Sequence, residues 1–114
     1  MRKVALLQQP VAEVVRLMIY EEEQGVYLFG YNTVADAGCA WDHWFQTVAD
    51  AEEAALEEYG VPVTDWQPIV DPLPGCQHDW IAPVRVQGRS EGNPQWSCLE
   101  KLVDGQWLPF RRLS

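Results

Sequence analysis

The stretch Val14-Val15-Arg16-Leu17-Met18-Ile19-Tyr20, then Glu21-Glu22-Glu23-Gln24-Gly25, then Val26-Tyr27-Leu28-Phe29-Gly30-Tyr31-Asn32-Thr33-Val34, decides the fold of this chain. β-Branched and aromatic residues crowd both sides of a glycine-containing turn, which is the pattern of strand, turn and strand. A helix from Pro10 to Gln24 competes, since Val11, Val14, Val15, Met18 and Ile19 also fit a 3.6-residue period and Pro10 suits a first helical turn. The strand reading is preferred because Val, Ile and Tyr lose rotamer freedom against the preceding turn of a helix.

Downstream, Ala35 to Gly38 reads as a turn and Ala40 to Phe45 as the third strand of a meander. Thr47-Val48-Ala49-Asp50 fits a capping box, in which the Thr47 hydroxyl accepts a backbone N–H and Asp50 returns the bond. The helix is expected over Val48 to Tyr59, stopping at Gly60, with Pro62 barring continuation. Val48, Ala51, Ala55 and Tyr59, with Leu56 beside them, form its apolar stripe, and its four alanines let it lie close against a sheet.

Asp65 to Ile69 is a short strand that Pro68 assigns to an edge. Asp71 to Pro83 holds three prolines and a glycine and is a loop; Val84 to Val86 is a short strand, and Gly88 to Pro94 a second loop. Trp96 to Val103 and Gln106 to Phe110 make a hairpin, because Asp104-Gly105 supplies the positive φ angles of a type I′ turn. The expected fold is α+β, a small antiparallel sheet of about five or six strands with one main α-helix, residues 48–59, on one face.

Length and composition agree with one domain over residues 1–114, since a chain of this size buries roughly two thirds of the surface its unfolded form exposes. Apolar residues at 47% and charged residues at 22% are close to the globular average and favour neither disorder nor a fibrous repeat. Apolar runs such as Val26 to Gly30 fall far short of the ~20 residues of a membrane helix. Met1-Arg2-Lys3 precedes only four apolar residues, too few for an export signal, and cysteines at 39, 76 and 98 lack paired spacing. Both features predict a cytoplasmic protein.

Charge is unevenly distributed. Of the net −9, the segment between Leu17 and Val84 carries thirteen acidic residues and no Lys or Arg, while the flanks together hold four acids and eight bases. Such a segment repels nucleic acid and anionic lipid and steers a basic partner.

Cys39, His43, Cys76 and His78 are four zinc-competent side chains, yet their spacing is not that of a structural site. On an extended segment Cys39 and His43 stand ~13 Å apart, with Cys39, Trp41, His43 and Phe45 on one face and Asp42 and Trp44 on the other. Cys76, His78 and Asp79 are the types a thiol enzyme needs, but no nucleophile signature surrounds them. A glycine-rich phosphate loop, a nucleophile-elbow serine and a His-Glu pair at helical spacing are lacking, so the sequence implies no catalytic residue, cofactor or metal.

The helix carries the stronger signal. Asp50, Glu52 and Glu53 favour the positive N-terminal end of its dipole, Glu57 and Glu58 oppose the negative end, and no base stands three or four positions away. Asp50, Glu53 and Glu57 are the expected contacts with a basic protein. Six tryptophans, 41, 44, 66, 80, 96 and 107, exceed ordinary usage, with three or four expected in the core and Trp80 first to be exposed. The leading expectation is a non-catalytic interaction protein resembling an immunity protein, antitoxin or regulator in its manner of binding. The alternative is a small-ligand or carbohydrate module using exposed tryptophan and the 71–83 loop, with Asp71, Cys76, His78, Asp79 and Trp80 as contacts; a thiol- or zinc-dependent enzyme comes third.

Overall fold

The computed structural model describes residues 1–87, 92 and 95–110. Contacts divide the chain into two compact units, Met1–Asp71 and Pro72–Ser114. The first holds β1 (Arg2–Val11), β2 (Val14–Glu22), β3 (Gly25–Tyr31), β4 (Trp41–Phe45), helix α1 (Val48–Tyr59), a 3-10 turn (Val63–Asp65) and β5 (Gln67–Ile69). The second holds β6 (Val84–Gln87), β7 (Gln95–Val103) and β8 (Gln106–Phe110). The α+β class is therefore as expected, with one helix among the described residues. Among the described residues, however, eight strands lie in two antiparallel sheets, not in one sheet of five or six.

In the first unit the order is β4-β3-β2-β1-β5, so β1 to β4 form a meander and α1 returns the chain to the far edge. Val14–Glu22 is a strand, which settles the contest with a helix. The largest surprise is β1, a ten-residue strand that no turn residue announces. Its hairpin to β2 turns through Ala12 and Glu13, both at positive φ (48° and 69°), a conformation usually supplied by Asn or Gly. Between the pairs Leu6↔Arg16 and Val11↔Val14, residues 7–10 of β1 stand opposite only Val15, which makes a wide bulge.

Alternation along the strands sends Ala5, Leu17, Ile19, Val26 and Leu28 toward Ala51 and Ala55 of α1, with Val61 and Trp66 completing this core. Both alanines are fully buried, and Val48 and Tyr59 pack beside them; Leu56 is about half exposed and lies off the stripe assigned to it. Thr47 Oγ1 accepts the Asp50 N–H at 3.1 Å, and Gly60 ends the helix at φ 68° while Val61 N–H reaches back to Ala55 O.

Two glycines of β3 make room for the tryptophans of β4. A Cβ on Gly30 would overlap the Trp41 indole, and one on Gly25 would overlap that of Trp44, on opposite sides of the sheet. Trp41 is held by Tyr59 (ring centroids 5.7 Å) and His43 (4.9 Å), consistent with Trp41 and His43 sharing a face. β4 starts only at Trp41, so Cys39 lies outside the strand that was expected to include Ala40.

The sheet face away from α1 buries Arg2, Arg16, Met18 and Tyr31. The Arg16 guanidinium stacks on the Tyr31 ring at 4.0 Å and donates to the Ala35 carbonyl, while Arg2 Nε donates to Val70 O at 2.9 Å. Buried cations persist here because rings and carbonyl oxygens replace part of their hydration.

In the second unit the order is β6-β7-β8, and the β7–β8 hairpin turns at Asp104 and Gly105, φ 50° and 80°, as Asp-Gly predicts. Arg85 pairs with Glu100 across the strands and lies 3.8 Å from the Trp107 ring. The loop expected over 88–94 lies outside the described residues, Gly92 excepted. Among the described residues no helix is long and apolar enough to cross a membrane.

Candidate functional site

Asp50, Glu53 and Glu57 are spaced so that a 3.6-residue helix brings them to one face, and all three are exposed. None has an ion-pair partner among the described residues. Glu52, one residue away, behaves differently. It turns inward to Lys3 of β1, whose Nζ donates to Glu52 Oε2 at 2.7 Å, and both side chains are more than four-fifths buried. Lys3 also stands 5.8 Å from the centre of the Trp66 ring. Sequence alone could not find this pair, because the two residues are 49 positions apart and only the folded sheet brings Lys3 of β1 to the helix.

At the other end of the helix no base occupies the last turn, so Glu57, Glu58 and the terminal carbonyls sum their negative potential. Burial and the neighbouring Glu58 raise the Tyr59 phenol above its ordinary pKa, in that order. Beside this end lies an open groove of about 280 Å³. Leu6, Gln8 and Val11 of β1 form one bank and Tyr59, Pro62 and Asp65 the other. Sequence reasoning missed it, since it depends on the β1 bulge and on the path of residues 60–65.

The proposed ligand contacts are dispersed in character. Asp71 closes the first unit and pairs with the Met1 amino group at 3.0 Å. In the second unit Cys76 is buried, its N–H bonded to Leu73 O, while His78 is exposed and Asp79 and Trp80 are half-buried. Trp44 on β4, 52% exposed, is the most open indole among the tryptophans whose burial is described, whereas Trp66 is buried and Trp41 and Trp107 are half-buried. Trp80 is thus not the most exposed tryptophan, nor are three or four of the described ones in the core. Along the same face as Trp44, Tyr20, Tyr27 and Phe29 stack with ring centroids 6.5 and 5.9 Å apart.

The three cysteines are thiols: Cys39 half-buried, Cys76 buried, Cys98 exposed. Among the described residues no group of three or more His, Cys, Asp or Glu side chains could hold a metal ion together.

No family model, curated protein or solved structure matches this chain. Its functional reading therefore rests on its own residues. What the acidic helix face offers chemically is long-range attraction of cations and hydrogen-bond acceptance.

Proposed function

We propose that this chain is a non-catalytic cytoplasmic interaction protein whose acidic helix face binds a basic protein, in the manner of an immunity protein, an antitoxin or a regulator. One observation carries the reading: Asp50, Glu53 and Glu57 are exposed on one face of α1 with no ion-pair partner among the described residues, while Lys3 is committed inward to Glu52. A helix whose surface serves solubility alone intersperses both signs. Uncompensated carboxylates on a rigid helix speed encounter with a positive surface and reject negative ones.

The test is a pull-down from source lysate at low and moderate salt, comparing the native chain with Glu53→Gln and Glu57→Gln variants. A basic protein retained by the native bait at low salt, weakened by salt and by either substitution, supports the reading. Retention indifferent to ionic strength and to both substitutions refutes it.

The exposed Trp44 indole, with exposed Asp42 on the same side of β4, keeps a carbohydrate or small-ligand module as a second reading. It requires that a glycan or metabolite change tryptophan fluorescence with little dependence on salt, and that Trp44→Ala abolish the change.

A further inference from the structure

Among the described residues the hydrogen-bonding capacity of β1 is only partly used. β5 pairs with Arg2, Lys3 and Val4 alone, so from Ala5 to Val11 no strand among the described residues lies along the outer edge. On the inner side, the bulge at residues 7–10 interrupts the ladder with β2. Open edges of this kind recruit another strand, and proteins commonly guard them with Lys or inward-pointing charge. Leu6-Leu7-Gln8-Gln9-Pro10-Val11 has no charged residue at all; Pro10 at the far end and the bulge at residues 7–10 are what limit pairing.

The 280 Å³ groove follows this same edge. Leu6 (60% exposed) and Val11 (37%) offer apolar contacts on its strand side. Opposite stand the Asp65 carboxylate and the C-terminal end of α1, with Glu57 and Glu58 in its last turn and no base to offset them. An unpaired main-chain edge beside an apolar bank asks for an extended backbone; the carboxylates and helix carbonyls ask for a cation.

We infer that the groove along the outer edge of β1 receives an extended, Lys- or Arg-bearing peptide segment, which adds a strand beyond the end of β5. This rests on the proposed binding of a basic protein and specifies how that protein is held: the acidic face of α1 attracts it, and main-chain pairing with β1 fixes one segment.

The experiment is amide NMR on the full chain, titrated with a short synthetic peptide that alternates Lys and Val. Its control is the same peptide N-methylated at alternate residues. Expected are shifts at the amides of Leu6 to Gln9, Val11 and Tyr59 to Val61, slowed hydrogen exchange in the outer half of β1, and loss of both with the N-methylated peptide. Asp65→Asn should weaken binding roughly two- to fivefold, the scale of one partly screened ion pair. Shifts confined to Asp50, Glu53 and Glu57 overturn strand addition and leave the acidic-face reading standing. Equal binding of the N-methylated peptide overturns main-chain pairing in the same way. An absence of shifts anywhere counts against both.

Discussion

Replacing Gly30 by Ala tests whether the edge of the first sheet is assembled as described. The new methyl would occupy space held by the Trp41 indole, and that ring is not at liberty to swing away, because Tyr59 stacks on it at 23° and His43 leans on it. Forcing one extra carbon into such a contact costs about 1–3 kcal/mol. Gly→Ala recovers about 0.4–1 kcal/mol through the unfolded state, since Gly30 is in a strand and needs no positive φ. The net expectation is a loss of about 1–2 kcal/mol, or a Tm lower by roughly 5–15 °C for a folding unit of this size.

Thermal unfolding followed by far-UV circular dichroism measures it, and a double-mutant cycle with Trp41→Ala isolates the cause. Without the indole, Gly30→Ala should be neutral or stabilising. Should Gly30→Ala cost the same in both backgrounds, the steric account of the β3–β4 pair is wrong. Because Tyr59 also walls the groove, its amide shift on Gly30→Ala reports whether displaced Trp41 disturbs that site.

The strained hairpin between β1 and β2 supplies another expectation: Ala12→Asn with Glu13→Gly, which suits positive φ at both positions, should stabilise by about 1 kcal/mol. A higher urea midpoint at unchanged m-value is the expected reading, and an unchanged or lower midpoint would discount the strain. At alkaline pH, Tyr20 and Tyr59 should resist ionisation. Burial is the main cause for both Tyr20 and Tyr59, reinforced by Glu22 and Asp71 at Tyr20 and by Glu58 at Tyr59. Their folded pKa values lie above the unfolded value of about 10, so the stability they contribute is complete below that pH and declines as pH rises through the folded values. Tyr20→Phe and Tyr59→Phe should each remove a late-ionising phenolate from the absorbance titration and flatten the alkaline loss of Tm; loss of a phenolate that titrates near about 10 in both variants would contradict this.

Local chemistry made much of this fold legible. Thr47 and Gly60 bound the helix because each offers a backbone conformation and a hydrogen bond that its neighbours cannot, and Asp104-Gly105 turns a hairpin for the same reason. The β-branched run at Val14 to Tyr20 prefers a pleated surface wherever it lies, so β2 could be read without its partners. The acidic helix face was equally visible, since helical period alone brings Asp50, Glu53 and Glu57 together.

Tertiary structure decided the rest. β1 was hidden because Ala12-Glu13 carries no turn signal and is driven to positive φ by the pairing of its flanking strands, an energy that exists only once the sheet forms. The inward course of Glu52, which separates it from its acidic neighbours, depends on Lys3 arriving from 49 residues away. The division of the described strands into two sheets depends on which edges find partners, and hydrophobic alternation is blind to that. The open edge of β1 has the same origin: β5 ends after three residues, and only the folded chain shows that nothing described continues it.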